Sequence, residues 1–403
     1  MTKSFEWYAL NPIDAWFFRD GTPFNRGEDH GNNGYMFPPA STTVSGTMRY
    51  SFAMSNGWDL NGTWVNQFDN KKPGPNHEFG KILGDGSQNI GQLHFCGPVV
   101  FNSDTPLFPM PRSVLGHHHF DLKKKSHSFQ PVCMNVPGQE LQSDLGSLCF
   151  PIAERSEPVE SKAPDESKAP DVTDDFFVSL AGLNQIKLGK PPHKDDCIHS
   201  DEIYKLEPRV GIARIRNQRV VESGMLYNPQ FLRMKKGFGI AVGVHGIPST
   251  WTAPRLIPFG GEARLSDMRR VTWEASSIEF SKTTLGSENI AISLLTPALF
   301  VDVNERQHLG STPWWGGNAG DNASLLHPQF VGKIKCASIG RPTRIGGWNS
   351  LDRKPEDMLP YAPAGSTWWL PSDALSQLSG SILQIGKRCE HGFGLAVVSQ
   401  VPT

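Results

Sequence analysis

The sequence lacks the features that membrane-spanning, secreted and disulfide-bonded proteins require. In its 403 residues no apolar run approaches the ~20 residues that cross a bilayer. The first ten residues have neither the basic start nor the apolar stretch of a signal peptide. The six cysteines never form a Cys-x-x-Cys pair, which argues against a zinc ribbon or a disulfide framework and indicates reduced, mostly buried thiols. We therefore expect a cytoplasmic protein with no membrane partner.

Signatures of catalysis are also missing. No His-x-x-x-His pair lies on a convincing helical pattern, carboxylates do not cluster with metal-ligand spacing, and neither Gly-x-Ser-x-Gly nor Gly-x-x-x-x-Gly-Lys occurs. The histidine run 117–119 beside Lys123–Lys125 is interpreted as a solvated loop, so we assign no metal and no cofactor. Metal-free RNA cleavage remains an alternative, because His30 or His391 could act as a general acid or base near neutral pH.

Basic charge is scarce overall but locally concentrated. The chain has 39 basic and 40 acidic side chains, a net charge of −1, whereas a nucleic-acid binder normally needs a basic surface. Residues 154–207 contain 13 acidic and seven basic residues, and residues 209–236 contain seven basic residues and one acidic residue. A basic strip therefore exists within a neutral total.

The pattern of apolar residues predicts a strand-rich fold. Forty glycines and 32 prolines punctuate short apolar runs. One amphipathic helix is predicted at 41–56, where Val44, Met48 and Phe52 recur at four-residue spacing. Residues 210–215 and 220–226 should form a β-hairpin. Further strands are predicted at 5–10, 15–18, 238–244, 291–296, 333–339, 367–370 and 395–398.

One segment should remain outside the packed core. The sequence Glu-Ser-Lys-Ala-Pro-Asp occurs twice in succession at 160–171 and contains no aromatic residue. Such a stretch cannot bury enough apolar surface to become ordered. We interpret 153–175 as a flexible acidic linker or insertion between two domains, because the chain is longer than a typical single domain of roughly 100 to 200 residues.

Several groups of residues could hold a nucleic-acid strand. Ser41, Thr42, Thr43 and Ser45, with Arg49 following, would supply hydroxyls and unpaired N–H groups for an anion at a helix start, although plain helix capping is the alternative. The aromatic run that ends in Arg19 suits base stacking and phosphate pairing, unless those aromatics are core residues and Arg19 pairs with Asp20. The basic hairpin could follow a sugar-phosphate backbone or form a solvated strand face.

Three glycine-bracketed aromatics complete this set. They are Gly237-Phe238-Gly239, Arg344-Ile345-Gly346-Gly347-Trp348 and His391-Gly392-Phe393-Gly394. Glycine permits close backbone approach and positive φ, while the enclosed aromatic offers a stacking face. Each alone is a common turn, whereas three in one chain, two of them beside Arg or His, indicate nucleic-acid contact. A strand-rich carbohydrate-binding module is a second alternative, since Trp314-Trp315 and Trp368-Trp369 could stack on sugar rings.

Taken in order, these segments resemble one family, the third RAMP subunit of the Cmr complex, which is the type III-B CRISPR effector. The resemblance begins with residues 12–24 (PIDAWFFRDGTPF) and with FPPAST at 37–42, which leads into Gly46 and Arg49. It continues with RVGI at 209–212, GMLY at 224–227 and FLR at 231–233. The segments GGEARL at 260–265, IGGW at 345–348 and GFG at 392–394 complete it.

The resemblance implies both a fold and a function. The fold would be α+β, with two ferredoxin-like, RRM-related RAMP domains, antiparallel sheets, a β-hairpin protrusion and a C-terminal glycine-rich loop. We place the domains at 1–152 and 176–403, with the linker at 153–175. The implied function is non-catalytic binding of the crRNA at its repeat-derived 5′ tag. The implied partners are the large polymerase-palm subunit and the adjacent backbone RAMP subunit, with target RNA contacted indirectly.

The motifs and the resemblance together select one set of expected RNA-binding residues. These are Arg19, Asn25, Arg26, Ser41, Thr42, Thr43, Ser45, Arg49, Arg209, Arg214, Arg216, Gly237, Phe238, Gly239, Arg264, Arg344, Gly346, Gly347, His391, Gly392, Phe393 and Gly394.

Overall fold

The computed structural model gives a mixed α/β fold with many strands and few helices. It describes residues 4–19, 34–58, 68–69, 72–73, 77–103, 105–122, 126–136, 141–143, 146–153, 173–214, 220–227, 229–272, 287–301, 313–349, 352–376 and 383–401. Every strand pair within these ranges is antiparallel, as predicted. No described helix combines the length and apolarity needed to cross a membrane.

The elements of the first part of the chain alternate short strands with four helices. The helices are α1 (Ser41–Ser55), α2 (His77–Leu83), α3 (Leu180–Lys187) and α4 (Ser200–Ile203). The strands up to residue 208 are β1 (Glu6–Pro12), β2 (Phe68–Asp69), β3 (Lys72–Pro73), β4 (His94–Asn102), β5 (Thr105–Pro109), β6 (Val114–Asp121), β7 (Ser126–Asn135), β8 (Leu141–Ser143), β9 (Gly146–Leu148), β10 (Ile152–Ala153), β11 (Phe176–Ser179), β12 (Cys197–His199) and β13 (Tyr204–Pro208).

The remaining described elements are strands and short 3-10 turns. The strands are β14 (Gly211–Arg214), β15 (Val221–Tyr227), β16 (Gln230–Met234), β17 (Phe238–His245), β18 (Leu256–Pro258), β19 (Leu265–Val271), β20 (Asn289–Leu294), β21 (Cys336–Ser338), β22 (Thr343–Ile345), β23 (Trp348–Asn349), β24 (Lys354–Pro355), β25 (Leu359–Tyr361), β26 (Thr367–Pro371), β27 (Leu383–Gln384) and β28 (Leu395–Gln400).

An eight-stranded sheet forms the larger layer, with the order β12-β11-β5-β4-β17-β1-β19-β18. Successive side chains of a strand point to opposite faces, and both faces of this sheet are buried. On β1, Tyr8 and Leu10 join the core beneath α1, whereas Trp7 and Ala9 join the core shared with α3 and β28. Burial on both sides explains why 7–10 is an unbroken apolar run.

A five-stranded sheet forms the second layer, with the order β21-β26-β20-β28-β27. Ile290, Ile292 and Leu294 of β20 pack with Trp368 and Leu370 of β26 in one core. Residues of β28 also reach the core of the first sheet, because Leu395 and Val397 pack there. The end of the chain thus joins the two layers and brings the loop before β28 close to α1.

Most predicted elements are confirmed. Helix α1 coincides with the predicted 41–56, β14 and β15 form the predicted hairpin with a register shift between Ile212 and Arg214, and β17, β20, β26 and β28 match their predicted runs. The prediction of a strand at 15–18 is wrong. That segment makes only an isolated bridge from Trp16 to Leu232 and is held by burial of its aromatic side chains. The strand predicted at 333–339 is limited to β21.

The large sheet draws strands from both sides of residues 153–175, since β5 pairs with β11. The division into domains at 1–152 and 176–403, and the ferredoxin-like order of each, remain predictions. All six cysteines are free thiols, as predicted, but only Cys96 and Cys336 are fully buried.

Candidate nucleic-acid interface

A cavity of about 840 Å³ lies where the start of α1, the turn at 86–88, the segment around β22 and β23, and the loop before β28 converge. The expected site residues that line it are Arg19, Thr42, Thr43, Ser45, Arg49, Arg344, Gly346, Gly347 and His391. Nine residues from four separate parts of the sequence therefore share one surface.

One face of helix α1 forms the cavity wall. Thr42, Thr43, Gly46, Arg49 and Tyr50 line it at spacings of three and four residues, while Val44, Met48 and Phe52 point into the core. The helix starts without a side-chain cap, because Ala40 precedes it. The backbone N–H groups of the first turn and the positive end of the helix dipole thus lie beside the cavity, where they favour an anion.

The hydroxyls of this first turn join neighbouring segments to the helix. The Ser41 hydroxyl donates to the Gly97 carbonyl at 3.3 Å, and that of Thr42 donates to the Gly346 carbonyl at 3.5 Å. Ser45 Oγ lies 3.3 Å from the Thr42 carbonyl and 3.2 Å from His391 Nδ1. The capping interpretation is therefore wrong for these residues, and several of them fix the cavity wall through contacts outside the helix.

Arg49 was expected to bind phosphate, but its side chain is not in a position to do so. The residue is 5% exposed, and its guanidinium donates to the carbonyls of Leu83 at 2.7 Å, Ser87 at 3.2 Å and Asn89 at 3.1 Å. Burial lowers the pKa of Arg49 to about 10, so the group remains charged at neutral pH. Arg49 therefore anchors the turn at 83–89 against α1, and its contribution to the cavity is to hold this wall in place.

The loop before β28 is held by close backbone contacts. His391 is buried, with Nδ1 beside Ser45 and Nε2 3.0 Å from the Gln88 carbonyl, so it joins α1 to the turn at 86–88. Gly392 has φ +99°, and a Cβ at this position would lie 2.2 Å from the Gly97 carbonyl oxygen. Phe393 has no exposed surface and packs 4.7 Å from the ring of Tyr361. The expectation that Phe393 stacks on a base is therefore wrong.

His391 should make stability depend on pH. Burial lowers its pKa from 6.5 to about 4, although the Gln88 carbonyl and Glu390 oppose this shift. The neutral ring is favoured only in the folded state, so its stabilisation is complete above pH 6.5 and is lost as the pH falls towards 4. In urea unfolding at pH 7 and pH 4, the wild type should lose roughly 2 to 3 kcal/mol more than His391→Gln, whose amide can still donate to Gln88. Equal losses would contradict this assignment.

Arg344, Gly346 and Gly347 form the opposite wall. Arg344 is exposed on β22, and no described carboxylate pairs with it. Gly346 lies so close to Met358 that a Cβ would meet its sulfur at 2.7 Å, which allows the segment to approach Thr42. Glu356 is a carboxylate in this wall, and burial raises its pKa, which reduces its opposition to an anion.

Four lining residues that suit a nucleic-acid strand are absent from the expected set. Arg353 adds a cation, Trp348 is 61% exposed, and Tyr50 and Trp58 pack edge to face with ring centroids 5.7 Å apart. Helical spacing from Gly46 would have indicated Tyr50. Trp348 stands within a quoted motif, whereas the sequence carries no signal for Trp58 or Arg353.

Comparison with known proteins identifies the family. The family model described as CRISPR-associated protein (Cas_Cmr3) matches residues 8–400. The chain belongs to this family. The resemblance to the third RAMP subunit of the type III-B Cmr complex is thereby confirmed. None of the curated proteins compared with the chain matches it.

Solved structures of type III CRISPR complexes are similar to this Cas_Cmr3 chain. One is a cryo-EM structure of the Type III-B Cmr-beta bound to cognate target RNA and AMPPnP, with 14% identity, a TM-score of 0.44, and coverage of 90% of this chain and 86% of that chain. Another is a crystal structure of a Csm3-Csm4 subcomplex of the type III-A interference complex, with 9% identity, a TM-score of 0.39, and coverage of 97% and 98%.

Two other expected site residues of this chain, Arg209 and Arg264, lie in a separate surface cluster. The Arg209 and Arg264 guanidinium carbons lie 4.5 and 4.7 Å from the centroid of the Phe231 ring. Both arginines also contact Asp14, at 2.9 and 3.3 Å. Hydrogen bonds from Arg209 and Arg233 lower the pKa of Asp14 to about 2, so this cluster is ionised across the neutral range. It does not line the cavity.

The remaining expected residues are used for packing or lie outside the described part of the chain. Phe238 packs against the first core, and a Cβ on Gly239 would meet the Phe101 ring at 2.5 Å, so 237–239 is a packing motif. Phe17 and Phe18 are buried core residues, which confirms the alternative for the aromatics before Arg19. Asn25, Arg26, His30 and Arg216 lie outside the described residues, and Arg214 is described only by its backbone in β14.

The carbohydrate-binding alternative is contradicted at one of its two aromatic pairs. Trp368 and Trp369 are completely buried in the second sheet and cannot stack on a sugar ring. Trp314 and Trp315 are half-buried and pack against each other with ring centroids 5.6 Å apart.

Proposed function

We propose that the cavity holds the repeat-derived 5′ tag of a crRNA in a type III-B CRISPR effector, and that the chain is a non-catalytic subunit of that complex. The observation that carries the proposal is the convergence on one surface of Arg19, Arg344 and Arg353 with the open start of α1. Cations and helix N-terminal amides are the groups that phosphates prefer. Glu356 is the opposing carboxylate among the described lining residues.

The aromatic residues support a single strand in preference to a duplex. Trp348 is exposed at the cavity, and Tyr50 and Trp58 line the opposite side. Single-stranded RNA is commonly bound by aromatic side chains on which splayed bases stack, together with a cationic surface for the backbone. We infer that Trp348 stacks on a tag base while Arg344 and Arg353 contact the flanking phosphates.

The wider assignment rests on family membership. We propose that the segment at 391–394 is the family's glycine-rich loop and that the two sheets belong to ferredoxin-like RAMP domains. The partners would be the large polymerase-palm subunit and the adjacent backbone RAMP subunit, with target RNA met indirectly. A direct catalytic role for His391 is disfavoured, because the residue is buried and both ring nitrogens have partners in the fold.

Binding of a tagged guide RNA tests the proposal. Arg344→Gln combined with Arg353→Gln should weaken binding about 10- to 100-fold, because two phosphate contacts are lost. The slope of log K against log salt should become shallower by about 1.4, since each contact to a single strand contributes about 0.7. Fluorescence anisotropy with a 5′-tagged guide, across a series of salt concentrations, measures both quantities.

A matched control removes two cations outside the cavity. Arg255, directly before β18, and Arg269, on β19, are exposed at the far edge of the large sheet, so Arg255→Gln with Arg269→Gln changes the net charge equally. This variant should keep nearly the wild-type affinity. Equal losses in both variants, or equal wild-type affinity for guides with and without the tag, would contradict the proposal. Cleavage of repeat RNA by the chain in EDTA would instead support the nuclease alternative.

A further inference from the structure

Three histidines from separate strands converge away from the cavity. His118 lies on β6, His127 on β7 and His199 on β12. A ring nitrogen of each lies within 4.8 Å of a ring nitrogen of the other two. His118 Nε2 and His127 Nδ1 are 2.8 Å apart, and the rings of His127 and His199 stack with centroids 3.7 Å apart. Imidazole rings so close together can direct several nitrogen lone pairs to one small volume.

Strand register explains which histidines of the run take part. In the β6–β7 pair, His118 lies opposite Phe129 and Phe120 lies opposite His127. His118 and His127 are therefore diagonal neighbours on one face of the hairpin. His117 and His119 alternate with His118 and point to the other face. The sequence run 117–119 thus contributes one side chain to the cluster, and its two neighbours serve as natural controls.

A carboxylate lies behind two of the rings. Oδ2 of Asp201, on α4, is 3.5 Å from His127 Nε2 and 3.7 Å from His199 Nδ1. Histidines that bind a metal usually donate their other ring N–H to such a carboxylate, which fixes the tautomer and the ring orientation. At present Nδ1 of His199 accepts a hydrogen bond from the Asp201 backbone N–H at 3.2 Å. When a metal is bound, Nδ1 would instead donate its N–H to the Asp201 carboxylate.

The surroundings of the cluster are apolar. Phe176 packs edge-on against both His118 and His199, with ring centroids 5.2 and 5.0 Å away, and Phe120 lies 4.7 Å from His127. His199 is 9% exposed, whereas His118 is exposed at the outer side. One side of the cluster is therefore dry and the other is open to an entering ion, as a metal site requires.

We propose that His118, His127 and His199 bind a zinc-type transition-metal ion, with Asp201 orienting the rings of His127 and His199. Three imidazole nitrogens suit this class of ion, and a tetrahedral site with bonds of about 2.0 to 2.1 Å needs ligand atoms about 3.3 Å apart. His118 Nε2 and His127 Nδ1 are now 2.8 Å apart, and all three ligand atoms lie within 4.8 Å of one another. Because β12 is the edge strand of the large sheet, the ion would join the β6–β7 hairpin to that edge.

Metal titration of the full chain, prepared without a polyhistidine tag and stripped with EDTA, tests the site. The wild type should bind one Zn²⁺ per chain, and Co²⁺ in its place should give the absorption bands of a tetrahedral nitrogen site. His117→Asn with His119→Asn should bind equally well. His118→Asn with His127→Asn should lose stoichiometric binding. Asp201→Asn should bind about 10- to 100-fold more weakly, because it keeps the ligands but loses their orientation.

Thermal unfolding separates loss of the site from loss of the fold. Zn²⁺ should raise the Tm of the wild type and of the 117/119 variant, because the ion binds only the folded state. Zn²⁺ should leave the Tm of the 118/127 variant unchanged. In EDTA, the Tm of that variant should equal the Tm of the wild type. If 118/127 does not fold, His118→Asn alone replaces it, since that side chain is exposed. Absence of stoichiometric binding in the wild type, or equal binding by both double variants, would overturn the proposal.

Discussion

Replacing Gly394 with alanine should destabilise the protein by about 5 kcal/mol, which is among the largest losses caused by single substitutions. Gly394 has φ +69°, where an L-residue costs about 1 to 2 kcal/mol. A Cβ there would also lie 1.9 Å from the Ile385 carbonyl oxygen. The backbone cannot easily move away, because Gly394 donates to Pro297 at 2.8 Å and accepts from Ile385 at 2.8 Å. Urea unfolding measures the loss.

Gly320→Ala provides the matched control. Gly320 has φ +87°, so it carries a similar conformational cost, but nothing lies within 4 Å of its Cβ position. This variant should lose only about 1 to 2 kcal/mol. The difference between the two variants isolates the steric contact that positions the loop before β28. A Gly394→Ala protein as stable as Gly320→Ala would show that this loop can relax, and the close packing described for it would be wrong.

Elements that show a clear pattern within a short stretch of sequence could be predicted. Helix α1 was predictable because Val44, Met48 and Phe52 repeat with helical spacing, and the β14–β15 hairpin because a short polar stretch separates two apolar runs. The segment 15–18 has the composition of a strand but pairs only at Trp16, with Leu232. Its aromatic side chains are buried by tertiary contacts, and composition alone cannot distinguish that burial from sheet pairing.

The candidate site was predicted as a collection of segments but not as an arrangement. The sequence indicated Arg344, Gly346 and His391 separately, and the structure brings them to the start of α1. Exposure was the missing quantity. Phe393 and Arg49 have residue types that suit RNA, yet both are buried, because their partners come from distant parts of the chain. The histidine cluster was hidden for the same reason, since His199 joins β6 and β7 only through the fold.

Replacing Arg49 with methionine should destabilise the protein by about 4 kcal/mol. Methionine fills the space of the side chain but leaves the carbonyls of Leu83 and Ser87 without the guanidinium donor, whereas the Asn89 carbonyl keeps the backbone N–H of Asp85. A buried carbonyl without a partner costs about 1 to 3 kcal/mol. Arg49→Lys should lose less, because one ammonium keeps the charge but cannot reach all three carbonyls with the geometry of the guanidinium. Urea unfolding with a constant m-value measures both losses.

Arg344→Met distinguishes a positioning role from direct RNA contact, because Arg344 is an exposed arginine of the same cavity. Its loss should change stability by less than about 0.5 kcal/mol while weakening binding of the tagged guide. Arg49→Met should lower both stability and RNA affinity, since the turn at 83–89 forms part of the cavity wall. If Arg49→Met kept wild-type stability but lost RNA binding, Arg49 would be a phosphate ligand as its sequence position suggested, and the anchoring role would be wrong.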